Sequence, residues 1–200
     1  MKCLVLDFIA QRYRAKIVGV EVPFLSGRRW ADLLVITESG KLIAFEIKSD
    51  RDSLRRMANQ IEDYIRTFDQ VHLILSEKFR KSPLLKSLPR SIGYGFIDSK
   101  KRRVDYVRPP RARSRLSKEN LLYFLWRKDL SAHEKSKQEP TEDVRRRMGR
   151  ALSMSRIKKL AREALVRRYA GRYRVFLREK SSRVHVEDLL CLTKASVNTF

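Results

Sequence analysis

The sequence predicts an α/β protein: a mixed-sheet core over residues 1–107, followed by a basic, mainly helical extension over 117–200. Three observations predict it. In the first half, short apolar runs rich in Val, Ile and Phe are separated by turn residues and by one helix-period segment. In the second half, apolar residues recur at three- and four-residue steps. Between them stands Arg108-Pro109-Pro110-Arg111, where two prolines stop regular structure, and residues 108–116 read as a Pro/Arg-rich linker.

Each element follows in order. Residues 3–14 suit a short helix and 17–24 a strand. Residues 31–37 and 41–48 read as two strands joined by a tight Glu38-Ser39-Gly40 turn. From about 52 to 68, Leu54, Met57, Ile61, Ile65 and Phe68 give a helix one apolar face, with Ser49 and Asp50 as caps. Asp50 and Asp52 read as helix-start charges. Val71–Leu75 is a buried-type strand, and 92–98 with 103–107 form a hairpin about the basic turn Lys100–Arg103. Ser117 caps a helix running to about Leu130, and a polar loop leads to a second helix opening at Thr141. Residues 156–169 form a helix with one apolar and one basic face, 173–178 read as a strand, and the last eight residues are expected to fray. Trp30 and Trp126 read as packing residues.

Charge narrows the partners. The chain carries a net +23, with +8 over residues 1–107 and +15 over 108–200. Self-repulsion of that size opposes compaction and points to a polyanion. No apolar run approaches the length of a membrane span, and Asp7 interrupts the apolar N-terminus, so neither a membrane helix nor a signal peptide is expected. Cys3 and Cys191 are the only cysteines, which suits a cytoplasmic protein. Nucleic acid is the simplest partner, DNA first, with RNA left open. The runs at Arg102-Arg103, Arg145-Arg146-Arg147 and Arg167-Arg168 are candidate phosphate contacts.

The candidate chemistry lies on 41–48. Strand side chains alternate faces, so Glu46 and Lys48 share one face while Ile43, Phe45 and Ile47 share the other. A carboxylate and an ammonium in an apolar strand are costly to bury unless they are paired or have a task. A hairpin turn at Glu38–Gly40 brings Asp32 to the same edge. Two carboxylates and a lysine are what metal-assisted phosphodiester cleavage needs: oxygen ligands for Mg²⁺ or Mn²⁺, and a cation to orient water or stabilise the transition state. On the following helix Gln60 and Tyr64 lie on one side, both able to support the site or bind a phosphate.

Asp32, the Glu46-Ile47-Lys48 triplet and Gln60-xxx-Tyr64 resemble motifs of the PD-(D/E)XK nuclease superfamily, in its RecB and lambda-exonuclease-like branch. The stretch from Arg28 to Leu75, with LLYFLWRKDL further on, also looks like an uncharacterised bacterial and phage family of predicted nucleases. The resemblance implies a restriction-endonuclease-like αβββαβ core, Asp32, Glu46 and the Ile47 carbonyl as metal ligands, Lys48 as catalytic, and Glu21 as a further metal ligand. Ala31 stands where the motif's Pro would be, a position that carries no ligand. The expected function is therefore a Mg²⁺- or Mn²⁺-dependent deoxyribonuclease. The rival is a catalytically silent nucleic-acid-binding module of a repair or defence assembly. Taken alone, Glu46 and Lys48 read better as a salt-bridged pair on an exposed strand face.

Overall fold

The structure is a computed structural model that describes residues 1–193 apart from Arg56, 112–114 and Lys137, and apart from the side chains of Ala58 and Asn59. Most of the expected frayed tail, 194–200, and the middle of the 108–116 linker thus lie outside the described residues.

A helix, α1 (Lys2–Arg12), leads into three strands, β1 (Ala15–Phe24), β2 (Arg29–Thr37) and β3 (Leu42–Lys48). Then come α2 (Met57–Ile65), β4 (Gln70–Ser76), the single turn α3 (Leu84–Ser87), and the hairpin β5 (Ile92–Asp98) with β6 (Arg103–Arg108). The helical segment comprises α4 (Lys118–Leu122), α5 (Arg127–Leu130), α6 (Thr141–Ala151), the long α7 (Met154–Glu179) and α8 (Val186–Leu192). The strands form one six-stranded mixed sheet in the order β1-β2-β3-β4-β5-β6. β3 pairs parallel to β4 and β4 to β5, while the other neighbours pair antiparallel. The fold class is α/β, with the αβββαβ order expected of the core.

Two apolar clusters sandwich the sheet. Leu34, Ile36, Leu42, Ala44 and Leu73 meet α2, α4, α6 and most of α7 on one face. Leu33, Val35, Ile43, Phe45 and Ile74 meet α1 on the other, joined by Phe176 and Leu192. The helices of the second half therefore continue the core of the first. α7 is bound to the β2–β3 turn, where Arg162 donates to the Gly40 carbonyl oxygen at 2.8 Å. Gly40 has φ +80°, and a Cβ there would stand 2.3 Å from the Arg162 guanidinium, so glycine meets both the turn and the docking.

Three elements differ from expectation. α2 starts at Met57 because Ser49 donates through its N–H and hydroxyl to Asp52 at 2.7 and 2.6 Å, a local turn that competes with the helix. The helix expected to Leu130 breaks into α4 and α5. Leu121, Leu122, Phe124 and Leu125 are all buried, which one helix face cannot satisfy, and the Asp129 carboxylate restarts the helix by accepting from the Trp126 N–H at 2.9 Å. Residues 173–178 are the last turns of α7 rather than a strand. The β-type residues there follow the helical period, and Tyr173 and Phe176 stack at a 6.1 Å centroid separation.

Candidate active site

β3 ends in a cleft of about 990 Å³ whose lining includes Asp32, Glu46, Ile47 and Lys48. Strand alternation turns Glu46 and Lys48 to the α2 face, and the Lys48 ammonium lies 2.6 Å from Glu46 Oε1. Glu46 is 6% exposed, so the pair sits in a weakly screened environment. The β2–β3 ladder pairs Leu33 with Phe45, which puts Asp32 one step beyond, level with the end of β3. Asp32 Oδ2 accepts from the Ile47 N–H at 2.7 Å and so extends the strand pairing with a side chain. Burial, with the Glu46 charge adding to it, pushes the Asp32 carboxyl up to about 6, against the pull of the Ile47 N–H, Lys2 and Lys48.

Tyr64 lies behind the cleft. Its hydroxyl has one hydrogen, shared between Glu46 Oε2 at 2.5 Å and the Trp30 carbonyl oxygen at 2.9 Å. Burial and the Glu46 charge raise this hydroxyl far above the tyrosine range, so it stays a donor. It thus positions Glu46 from within the core. Gln60, half-buried one turn earlier on α2, does not line the cleft.

Glu21, expected as a further metal ligand, does not line the cleft and pairs instead with Lys2, which does. Glu21 has φ +49°, a left-handed conformation rare for a residue with a side chain. Its carboxylate is 2.8 Å from the Lys2 ammonium, which is also 3.8 Å from Asp32 Oδ1. The sequence offers no sign of Lys2, because α1 brings it to Asp32 from across the chain. Ser76, also in the lining, keeps a buried hydroxyl oxygen without a partner among the described residues. Both tryptophans are more exposed than expected: Trp30 at 51% on the cleft rim, and Trp126 at 46% under the Arg168 guanidinium.

The arginine runs divide. Arg145 donates to the Leu122 and Leu125 carbonyls, Arg147 to the His133 carbonyl and Glu139, and Arg168 to the Phe124 carbonyl. These three tie the helical segment together. Arg146 pairs with Asp143, Arg167 with Asp129 and Arg103 with Asp105, all with largely exposed guanidiniums. Arg102 occupies the β5–β6 turn at φ +48°.

Among the described residues no group of three or more His, Cys, Asp or Glu side chains is placed to hold a metal ion. Asp32 and Glu46 are two carboxylates sharing one cleft, and Asp32 stays raised despite Lys2 and Lys48, so a further positive charge would favour its ionised form. Mg²⁺ keeps several waters and takes one or two carboxylates, so the pair fits an ion of that kind and not a closed zinc or calcium cage. Hydrogen-bonded carboxylate oxygens retain lone pairs for such an ion.

Fold and site together define an α/β protein with an acid–lysine cleft and a basic helical segment. The chain belongs to the bacteriophage P4 protein cII family, whose pattern matches residues 1–193. It is 29% identical to protein cII of Enterobacteria phage P4 over 188 residues, which is 88% of this chain and 69% of that protein. A solved structure, the SPO1766 protein of unknown function from Silicibacter pomeroyi, is 21% identical with a TM-score of 0.38, and covers 50% of this chain and 62% of its own. That likeness is too low to define a shared fold. The family match corrects the resemblance drawn from the sequence, to the PD-(D/E)XK superfamily and an uncharacterised predicted-nuclease family: the full-length pattern is that of protein cII. The physical reason is that Asp32, Glu-x-Lys and Gln-xxx-Tyr are a handful of positions on a strand end and one helix, too few to carry a family on their own.

Proposed function

We propose that the protein is a metal-dependent nuclease that hydrolyses phosphodiester bonds, with DNA as its substrate. One observation carries the reading: Asp32, Glu46 and Lys48 share one cleft of a chain with a net charge of +23. Asp32 and Glu46 would hold a Mg²⁺ or Mn²⁺ ion, with the Ile47 backbone beside them. Bound there, the ion would polarise the phosphate and lower the pKa of its water. Lys48 stabilises charge on the phosphate, and Tyr64 fixes Glu46 against rotation. No helix among the described residues is long and apolar enough to cross a membrane, and nucleic acid remains the partner this charge suits.

The expected result is cleavage of plasmid or linear DNA with Mg²⁺ or Mn²⁺, abolished by EDTA and slowed about 100- to 1,000-fold by Lys48→Ala. Equal cleavage by wild type and Lys48→Ala would overturn the assignment.

A second reading is favoured by one observation. Both Glu46 oxygens are already engaged, by Lys48 and Tyr64, and Asp32 is engaged by Ile47 and Lys2. A site satisfied internally suits a nucleic-acid-binding module that does not cut. Calorimetry separates the two: salt-sensitive DNA binding without any Mn²⁺ binding belongs to the module, and Mn²⁺ binding lost in Glu46→Gln to the enzyme.

A further inference from the structure

At the opposite end of β3, on the α1 side of the sheet, lies a cavity of about 540 Å³. Its lining includes His72, Tyr13 and Tyr106, and three cations, Arg12, Arg14 and Lys41. His72 is 1% exposed and stacks on Phe45 with centroids 4.7 Å apart. Its Nε2 is 3.1 Å from the Tyr13 hydroxyl, and its Nδ1 meets the Tyr106 hydroxyl. Gly93 makes room for this, since a Cβ there would stand 2.3 Å from the Tyr106 oxygen. Burial, with the Arg12 charge adding to it, pushes the imidazole down to about 3, so the ring is neutral.

A neutral imidazole has one N–H and one bare nitrogen. One tyrosine donates to the bare nitrogen. The other accepts from the N–H, and its own hydroxyl hydrogen then has no acceptor among the described residues. This holds for either tautomer. The triad therefore always leaves one hydrogen-bond donor over, at the wall of the cavity. Arg12, Arg14 and Lys41 form no ion pair among the described residues, and Arg12 is held over the Tyr106 and Phe8 rings at 5.1 and 5.5 Å. The one carboxylate in the described lining is the exposed Glu38. A surplus donor with three cations that lack a carboxylate partner among the described residues calls for an acceptor-rich anion.

We propose that this cavity is a phosphate-binding site, separate from the carboxylate cleft, in which Arg12, Arg14 and Lys41 supply charge and the Tyr13–His72–Tyr106 triad supplies a fixed hydrogen-bond donor. The phosphate group comes either from a nucleic-acid strand or from a free anion. The site does not depend on cleavage, so it stands or falls separately from the nuclease reading.

The test uses the full chain in EDTA, titrated with inorganic phosphate and with a short 5′-phosphorylated oligothymidylate, while NMR follows the ring signals of Tyr13, His72 and Tyr106. Either titrant is expected to shift these signals. A response to both titrants identifies a free-anion site, and a response to the oligonucleotide alone identifies a strand-phosphate site. The triple change Arg12→Gln, Arg14→Gln, Lys41→Gln is expected to weaken binding at least ~10-fold. The same charge loss at Arg174, Arg178 and Arg183, exposed residues outside the cavity lining, is expected to weaken it less than ~2-fold. Tyr13→Phe and Tyr106→Phe, which keep the rings, are each expected to lower affinity ~3- to 10-fold. Ring signals unmoved by both titrants, or equal losses from the two triple variants, would overturn the proposal.

Discussion

The carboxylate cleft and the His72 cavity lie toward opposite ends of the same strands, and burial acts on each with opposite chemical results. In the cleft it raises Asp32 to about 6, so a charge is kept at neutral pH at some cost to the fold. In the cavity it lowers His72 to about 3, so a charge is refused. The difference lies in the partners. Asp32 has a backbone N–H and the nearby charges of Lys2 and Lys48, which favour its ionised form. His72 has two tyrosine hydroxyls and a phenyl ring, which serve the neutral ring, while Arg12 opposes a second positive charge. One sheet thus holds a carboxylate site suited to a cation and, around a neutral imidazole, a basic, donor-rich site suited to an anion.

Three measurements press on this contrast, the largest effect first. His72 is lower in the folded state, at about 3, than its ordinary 6.5, so the unfolded chain binds its proton first as pH falls. Its contribution to stability is whole above about 6.5 and is lost as pH drops toward about 3, in total on the order of 5 kcal/mol. Urea unfolding between about pH 7 and 4 should show this as an extra slope approaching ~1.4 kcal/mol per pH unit, absent in His72→Gln. Equal slopes would mean that His72 is not held neutral by the fold.

Next is Tyr64→Phe, which leaves Glu46 Oε2 and the Trp30 carbonyl without their donor. We expect a loss of roughly 1–3 kcal/mol in denaturant unfolding. A neutral outcome would show that Glu46 finds water in its place, and that the cleft is wetter than its burial implies.

The smallest effect has the opposite sign. The folded Asp32 carboxyl lies above its ordinary 3.8, so ionised Asp32 costs stability above about 6, and the cost fades as pH falls to about 3.8. Asp32→Asn keeps an acceptor for the Ile47 N–H and should stabilise the protein by about 1 kcal/mol near pH 8, with the gain shrinking toward pH 4. Thermal melts at the two pH values check it. Destabilisation near pH 8 would show that the pull of Lys2 and Lys48 exceeds the burial cost.

Much of this was legible before the structure. Alternation along 41–48 put Glu46 and Lys48 on one face, and the Glu38–Gly40 turn brought Asp32 level with them, because both are short-range rules of strand geometry. Tyr64 was legible for the same reason, through helix spacing. Lys2 and the Tyr13–His72–Tyr106 triad were not, since each joins residues far apart in sequence that only the packed α1 and the finished sheet bring together. Family membership was not legible from the site either, being carried by the pattern over 1–193. The end of α7 was misjudged because Tyr173, Val175 and Phe176 favour strands locally, while packing of Tyr173 and Phe176 against the second apolar cluster keeps the segment helical.

The β2–β3 hairpin is fixed at both of its ends. At the turn, Arg162 holds the Gly40 carbonyl, and Asp69 accepts from the Leu42 N–H at 2.9 Å. At the open end, Asp32 is bound to the Ile47 N–H, and Tyr64 spans from the Trp30 carbonyl to Glu46. A hairpin free at one end behaves as a cantilever, and thermal motion at its tip would spread the two carboxylates apart. Held at both ends, it behaves as a clamped beam. The spacing of Asp32 and Glu46 is then set when the chain folds, not when a ligand arrives, and little entropy remains to be lost on binding.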